Sequence, residues 1–345
     1  MTKKILITGT HLTPAIELIN QLKEDSISWD ITYIGRNFNS HEKISPSIES
    51  LTIPKLNIKF YGFQSGKLDR RWLPNTIAGI PLTIQSFIKI NHLIKKIRPD
   101  IVVSFGGYIS VPVIINSYLQ KIPSITHEQT STLSLSTKIN SKFTNKVALS
   151  FPSNIKNTKF VVTGNLFLRE ILNLKSDYFE SLNIKLPIIY LTGGNQGSII
   201  LNQTLQKILP TLTKKYFVVH QTGNQNFSAS KNYLPINYIF SDNIGWILNN
   251  SNIIISRAGA NICQDITILS KKSILIPLKI SQQDEQLKNA KLVKLIMPKL
   301  TIIIPEIKLT PSTLLKSINK LIKIKTNIAI KPKINYSLLK LIKTL

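Results

Sequence analysis

The stretch that decides the fold is IIYLTGGNQGSIILNQTL, residues 188–205. Its apolar start, 188–191, predicts a buried parallel strand, and the apolar spacing after 198 predicts a helix. The glycine-rich turn between them, 192–198, lets backbone N–H groups approach a ligand and directs a helix N-terminus at it. This turn therefore predicts either a phosphate or diphosphate site or an ordinary βα connection that uses glycine for its tight geometry.

The alternation of strand, polar loop and helix recurs on both sides of this stretch. Apolar segments predict strands at 4–7, 31–34, 101–105, 123–126, 147–150, 160–162, 216–220, 238–240, 253–256 and 273–276. Such a rhythm, restarting at residue 188, predicts an α/β protein with two doubly wound parallel sheets. Ligands of such sheets bind beyond the carboxyl ends of the strands, so we expect the strand-end loops to converge on a cleft between two domains.

The domain boundaries follow from this restart and from the composition of the C-terminal end. We expect an N-terminal domain over 1–163, a C-terminal domain over 164–325 and a basic C-terminal helix or tail over 326–345. Crossing back to the N-terminal domain is one option for this tail. From residue 307 onwards there is no Asp or Glu, and basic helices are predicted at 312–324 and 335–345. They either pack on the body with a solvated lysine face or contact a membrane.

Composition and charge narrow the class of protein. A chain of 345 residues with 43% hydrophobic residues has room for two globular domains, and its one cysteine, Cys263, excludes an internal disulfide. The N-terminus enters a strand too early for a signal peptide, and glycines interrupt the uncharged segment 101–120, so we expect no membrane span. The net charge of +27 favours anionic partners. No nucleic-acid module is recognisable, so we expect an anionic membrane surface and a phosphorylated substrate, and no nucleic acid.

A candidate membrane patch lies between residues 72 and 97. It combines apolar residues with flanking Arg and Lys, and its proposed membrane-facing members are Trp72, Ile77, Ile80 and Phe87. Such a patch can dip into an anionic membrane surface. The alternative is a helix that faces the core while its lysines reach solvent.

Six blocks of sequence carry the chemistry-bearing residues in a fixed order. They are TGTHLTPA (8–15), SFGGYISVP (104–112), ITHEQT (125–130), TGGNQGSIILNQTL (192–205), SRAGANICQDI (256–266) and DEQLKNA (284–290). Together they resemble the MurG family of bacterial cell-wall glycosyltransferases. The resemblance implies a GT-B fold, in which two Rossmann-like domains face a cleft, the N-terminal half handling the acceptor and the C-terminal half the UDP-sugar.

The resemblance also implies an activity. This is inverting, metal-independent transfer of N-acetylglucosamine from UDP-N-acetylglucosamine to the C4 hydroxyl of N-acetylmuramic acid in lipid I, undecaprenyl-pyrophosphoryl-MurNAc-pentapeptide. The product, lipid II, serves peptidoglycan synthesis and hence cell shape and division, so the implied location is the cytoplasmic face of the cell membrane. The alternatives are another GT-B transferase with a different lipid acceptor, or a non-catalytic relic that binds sugar nucleotides.

Two residues in the matching blocks are implied to be catalytic, His11 and Glu128. The acceptor hydroxyl must lose a proton as it attacks C1 of the donor, and a positioned His or Glu suits that transfer. His11 could instead be a capping residue that shapes its loop, and Glu128 a partner for a helix N-terminus. The resemblance leaves the choice of base between them open.

The donor-binding residues are implied by the same blocks. Asn195 and Gln196 match the family's diphosphate-binding loop. Asp265 matches the carboxylate that binds the ribose hydroxyls, and Gln286 matches the glutamine that binds the sugar. The other implied donor-site residues are Thr8, Gly9, Thr10, Thr130, Arg169, Gly194, Gly197, Ser241, Arg257, Gly259, Ala260, Asn261, Ile262, Cys263 and Gln264; the implied acceptor loop is Gly106, Gly107 and Tyr108. The sequence has no Asp-X-Asp pair for a metal–diphosphate bridge, so we expect neither metal nor cofactor.

This chain departs from the family pattern at several of these positions. Where the family has doubled glycines before the histidine, residues 8–10 of this chain are Thr-Gly-Thr. Asn195, Thr130 and Asp265 replace the usual serine, asparagine and glutamate, respectively. The Arg169 match is shifted by one position. Each exchange keeps hydrogen-bonding capacity, so we expect activity to be retained.

Overall fold

The computed structural model describes ten segments of the chain. These are residues 2–38, 46–63, 80–130, 132–152, 154–167, 169–194, 196–239, 241–278, 284–325 and 334–345, with the side chains of 80–83, 241 and 242 outside the description. The chain divides into two compact units, one of residues 1–168 with 334–345 and one of residues 169–333.

The first unit is built on a seven-stranded parallel sheet. Its strands are β1 (Lys3–Gly9), β2 (Trp29–Arg36), β3 (Lys59–Phe63), β4 (Ile101–Phe105), β5 (Ser124–Glu128), β6 (Lys146–Leu149) and β7 (Phe160–Val162). They pair in the order β3-β2-β1-β4-β5-β6-β7, with Leu6 of β1 opposite Thr32 of β2 and Val102 of β4. Every residue of β4 and β5 is buried, because helices cover both faces of a parallel sheet.

The helices of the first unit connect successive strands. They are α1 (Leu12–Lys23), α2 (Ile48–Thr52), α3 (Ile80–Ile97), α4 (Ser110–Leu119) and α5 (Leu135–Phe143), with a short 3₁₀ turn at Pro54–Leu56. Residues 101–120 therefore form a strand, a glycine turn and a helix, as predicted. No helix in the described parts of the chain is long and apolar enough to cross a membrane.

The second unit repeats this design with six parallel strands. They are β8 (Ile188–Thr192), β9 (Phe217–Gln221), β10 (Tyr233–Ile236), β11 (Ser251–Ser256), β12 (Ser273–Leu275) and β13 (Thr301–Ile303), in the order β10-β9-β8-β11-β12-β13. The helices are α6 (Asp177–Ser181), α7 (Ile199–Leu212), α8 (Ser241–Asn250), α9 (Ala260–Ile268), α10 (Glu285–Ile296) and α11 (Pro311–Ile322), and 3₁₀ turns span Arg169–Leu172 and Glu306–Lys308. Two parallel sheets with covering helices confirm the predicted doubly wound α/β class.

The last helix, α12 (Ser337–Ile342), belongs to the first unit. Its apolar residues Leu338, Leu339 and Ile342 are buried in the same core as α1, while Lys340 is exposed. Just before the helix, the Asn335 side chain donates a hydrogen bond to the Thr163 carbonyl oxygen (2.7 Å). The two ends of the described chain are thus held in one unit by burial and by directed polar contacts.

One predicted strand is wrong. The segment 238–240 was expected to be a strand, but the strand is β10 at Tyr233–Ile236, and Tyr238 and Ile239 follow it without regular structure. Pro235 lies inside β10, and a proline weakens the sequence signal of a strand because it lacks the N–H donor. β10 tolerates it because it is an edge strand with a neighbour on one side only.

Candidate functional site

In the first unit, the loops after β1 and β4 lie against each other. The backbone of Gly9 has φ +141°, and a Cβ there would lie 2.7 Å from the carbonyl carbon of Phe105. The Thr10 N–H donates to the Gly106 carbonyl oxygen (3.2 Å), and a Cβ on Gly107 would lie 2.3 Å from the Thr10 hydroxyl oxygen. The fold therefore brings together two glycine motifs about 100 residues apart in the chain, each of which needs glycine for the close approach.

His11 lies beside these loops, at the N-cap of α1. Its side chain makes no capping hydrogen bond, so the capping alternative is wrong. His11 is exposed as a residue, and a Cβ on Gly106 would lie 3.4 Å from its Cδ2. Desolvation by the surrounding protein lowers the pKa of His11, and the charge of Glu128 acts in the opposite direction. A neutral imidazole in this position is able to accept a proton.

Glu128 lies at the end of β5, and its carboxylate is already engaged. One oxygen accepts hydrogen bonds from the Thr130 N–H (3.2 Å) and hydroxyl (2.8 Å), and the other accepts from the N–H of Ser134 (2.8 Å), the N-cap residue of α5. The side chain is buried. Glu128 is thus a partner of the α5 N-terminus, which is the alternative considered from the sequence. The same carboxylate also accepts hydrogen bonds from Thr130 in this loop.

Two further groups in the first unit were missed from the sequence. His127 is buried, its Nε2–H donates to the Gly164 carbonyl oxygen (3.2 Å), and burial lowers its pKa to about 4. At the end of β2, Arg36 donates to one Glu49 oxygen from Nε (3.0 Å) and Nη2 (2.8 Å), and it also hydrogen-bonds the Tyr108 side chain. A basic residue in the turn after a predicted strand was the only signal for Arg36.

In the second unit, the turn after β8 packs backbone to backbone on the turn after β9. Gly197 has φ +74°, and a Cβ there would lie 2.1 Å from the Thr222 carbonyl oxygen. Gly223 has φ +67°, and a Cβ there would lie 2.2 Å from the Gly197 nitrogen. Gly194 also has a positive φ, +85°, but apart from its chain neighbours no atom of the described residues lies within 4 Å of its Cβ position. The turn is therefore anchored at Gly197 and open at Gly194.

The same turn leads into the N-terminus of α7, which has the features of an anion site. The N-cap residue Ser198 makes no side-chain capping bond, and the first turn of α7 contains no acidic residue. Within the described residues, Ser198 thus leaves the N–H groups of that turn to another acceptor. Gln196 in the turn is exposed, whereas Asn195 lies outside the described residues.

Arg257, which follows β11, reaches this turn. Its Nη2 donates to the Ser198 hydroxyl oxygen (2.9 Å), and its Nη1 donates to the Ile276 carbonyl oxygen (3.3 Å). Nη1 also forms an ion pair with Glu306 (2.5 Å). Glu306 was not identified from the sequence, because it lies about 50 residues from Arg257 and carries no motif.

α9 carries most of the implied nucleotide loop. Gly259 is its N-cap, and Ala260, Asn261, Ile262, Cys263, Gln264 and Asp265 lie along the helix. The Cys263 thiol is buried, which raises its pKa to about 12 and leaves it uncharged. Asp265 is partly exposed, and its side chain makes no hydrogen bond or ion pair within the described parts of the chain. Desolvation raises its pKa to about 7.

The remaining implied residues are distributed around these elements. Gln286, in the first turn of α10, accepts a hydrogen bond from the Leu278 N–H (3.0 Å). Arg169 begins the 3₁₀ turn Arg169–Leu172, and Ser241 begins α8. In the candidate membrane patch, Phe87 is partly buried on α3; Trp72, Ile77 and the side chain of Ile80 lie outside the described residues. Among the described residues, no cluster of His, Cys, Asp or Glu could hold a metal ion.

Comparisons with known proteins agree with this architecture. Residues 6–149 match the glycosyltransferase family 28 N-terminal domain, and residues 188–344 match the glycosyltransferase family 28 C-terminal domain. A UDP-N-acetylglucosamine–N-acetylmuramyl-(pentapeptide) pyrophosphoryl-undecaprenol N-acetylglucosamine transferase of Clostridium tetani is 34% identical over 306 residues, which cover 84% of this chain and 82% of the relative. Its namesake in Borreliella burgdorferi is 36% identical over 292 residues, which cover 83% and 78%.

A solved structure supports the fold. The crystal structure of Acinetobacter baumannii MurG aligns with a TM-score of 0.70 and 20% identity, covering 99% of this chain and 100% of that chain. At 20% identity, this similarity is evidence for the fold alone, and it confirms the predicted GT-B class.

Proposed function

The chain belongs to the MurG family of N-acetylglucosamine transferases, and from this membership we propose that it transfers N-acetylglucosamine from UDP-N-acetylglucosamine to lipid I, forming lipid II for peptidoglycan synthesis. The acceptor is assigned to the first unit and the UDP-sugar to the second. The observation that carries the donor assignment is the α7 N-terminus, whose N-cap Ser198 makes no capping bond behind a glycine turn. The proposal involves no metal ion, no cofactor and no nucleic acid.

In the proposed reaction, His11 acts as the general base. Its neutral imidazole takes the proton of the C4 hydroxyl of N-acetylmuramic acid while that oxygen attacks C1 of the donor sugar. The bond from C1 to the diphosphate oxygen breaks, and the configuration at C1 inverts. Glu128 holds the loop of residues 130–134 beside His11, because both carboxylate oxygens of Glu128 already accept hydrogen bonds from that loop.

The leaving group is UDP, and its developing charge requires donors that are fixed in advance. The free N–H groups of the α7 first turn and the positive end of its helix dipole supply them. Asp265 accepts hydrogen bonds from the ribose hydroxyls, and both of its oxygens are available because no described residue of the protein bonds to them. Gln286, whose Oε1 is held by Leu278, offers its amide N–H groups to the sugar hydroxyls.

The lipid-linked acceptor requires the enzyme to work at a membrane. We place it at the cytoplasmic face of the cell membrane as a peripheral protein. The described part of α3 supports this, because Ile84 and Ile88 are exposed beside Lys89. Apolar side chains flanked by lysines suit the boundary between acyl chains and anionic head groups.

A transfer assay tests the whole proposal. Purified protein is incubated with labelled UDP-N-acetylglucosamine and a lipid I analogue, and the labelled disaccharide product is measured. In parallel, UDP and UDP-N-acetylglucosamine should raise the melting temperature, because a ligand of the folded state stabilises it, whereas ADP should not. Label transferred only to another lipid would favour a different GT-B activity, and a UDP response without any transfer would favour a relic. No response to any uridine nucleotide would overturn the donor assignment.

Asp265 should make donor binding dependent on pH. Only its ionised form accepts two ribose hydrogen bonds, so with a pKa near 7 the affinity for UDP-N-acetylglucosamine should fall by up to about 10-fold per pH unit below 7. Calorimetry between pH 5.5 and 8.5 measures this, and the sugar nucleotide is the proper ligand because its diphosphate diester does not titrate in this range. Asp265→Asn should bind weakly at pH 8 and lose the dependence. A variant that keeps the wild-type pH profile would contradict the assignment.

The raised pKa of Asp265 also affects the stability of the ligand-free protein, but with the opposite dependence on pH. Because the folded-state pKa of Asp265 is raised above its ordinary value, its contribution to folding is most favourable below about pH 4 and is lost as the pH rises through about 7. Bound donor should offset this loss above pH 7.

A further inference from the structure

We propose that Glu306 is a positioning residue of the donor site, acting through Arg257 on the turn that precedes α7. This inference rests on the proposed function, because it assigns the turn of residues 192–198 to the donor diphosphate. Glu306 itself lies in the 3₁₀ turn Glu306–Lys308 after β13.

The Arg257 guanidinium joins four strand-end loops. It follows β11, its N–H groups donate to Ser198 after β8 and to the Ile276 carbonyl oxygen after β12, and its Nη1 forms an ion pair with Glu306 after β13. These four strands are consecutive in the sheet. A planar guanidinium presents its donors in a fixed fork, so once one side is held the others are directed.

Because Arg257 is largely buried, its guanidinium needs the Glu306 carboxylate as a counter-charge. The side chains of Arg257 and Glu306 are only 11% and 14% exposed, and Glu306 is the carboxylate paired with Arg257 in the described chain. A largely buried cation that loses its counter-charge is strongly unfavourable and moves towards water or another anion. Without Glu306, we expect the guanidinium to leave its present position.

The position of the guanidinium matters because of what it does to Ser198. The Ser198 hydroxyl oxygen accepts from Arg257 and makes no capping bond to α7. A serine released from Arg257 can turn its oxygen onto the N–H groups of the first helical turn, as N-cap serines ordinarily do. Glu306 therefore keeps these N–H groups available to the diphosphate without touching it.

The test compares ligands that differ only in the diphosphate. Full-length Glu306→Gln should bind UDP about 10-fold more weakly than wild type, whereas its affinity for uridine should be unchanged. Glu306→Asp should recover part of the loss because it keeps the charge. Lys308→Gln, which neutralises an exposed charge in the same turn, is the matched control and should bind both ligands as wild type does.

A double-mutant cycle with Ser198→Ala tests whether Glu306 affects UDP binding through Ser198. If Glu306 acts through Ser198, Glu306→Gln should not weaken UDP binding further in the Ser198→Ala background, because alanine has no oxygen to turn onto the N–H groups of the first helical turn. Additive losses would overturn this route. Equal losses for UDP and uridine would indicate a general structural effect, and unchanged or tighter UDP binding would indicate no positioning; each would overturn the proposal. Failure of the proposed function is distinguishable, because then wild type itself would not bind UDP.

Discussion

His11→Ala is expected to lower kcat by about 100- to 10,000-fold, the range that a positioned general base contributes, while the affinity for UDP stays close to the wild-type value. His11 is exposed as a residue, makes no capping bond and has a lowered pKa, so its ring is neutral and free to accept a proton. Single-turnover transfer to a lipid I analogue at saturating UDP-N-acetylglucosamine measures the effect. The acid limb of the wild-type pH profile should disappear in the variant.

Glu128→Gln provides the comparison that identifies the base. The amide nitrogen of glutamine cannot accept the hydrogen bond that one carboxylate oxygen now accepts, so the loop of residues 130–134 should loosen. We expect a smaller loss of kcat than for His11→Ala, accompanied by a rise in the KM for the acceptor. If His11→Ala retains kcat and Glu128→Gln abolishes it, Glu128 is the base and His11 is not.

Gly197→Ala should strongly lower both the stability and the ligand affinity of the donor unit. Alanine at φ +74° is strained, and its Cβ would lie 2.1 Å from the Thr222 carbonyl oxygen, a backbone atom that cannot move aside alone. The two effects together should cost about 2–5 kcal/mol of the free energy of unfolding. Because relief requires the turn after β8 to separate from the turn after β9, UDP binding should be lost as well. Urea unfolding and calorimetry measure the two effects.

Gly194→Ala is the matched control in the same turn. Its φ of +85° imposes comparable backbone strain, but the new Cβ would meet no described atom within 4 Å beyond its chain neighbours. We therefore expect it to cost only about 1–2 kcal/mol, the price of the left-handed backbone alone. Equal destabilisation by the two substitutions would show that close packing of the turns is not what anchors this site.

Local sequence signals were enough to predict several strands. A strand followed by a glycine turn and a helix is encoded by neighbouring residues, so β4 at 101–105 and β7 at 160–162 were predicted to the residue, and β8 nearly so. Three of the four edge strands, β3, β10 and β13, were missed or misplaced; the fourth, β7, was predicted because all three of its residues are apolar. An edge strand has one neighbour and is less buried, so it carries a weaker apolar pattern, and β10 even contains Pro235.

The local pattern by itself determined the α/β class, the glycine turns and the residue types that carry the proposed chemistry. Only the tertiary structure decided how these residues are used. It engaged the Glu128 carboxylate within its own loop, left Asp265 without a partner among the described residues, and brought Glu306 and Ser198 to the two sides of Arg257. The reason is physical: the order of strands in each sheet sets which loops meet, and that order is fixed by packing over the whole unit, so no stretch of neighbouring residues records it.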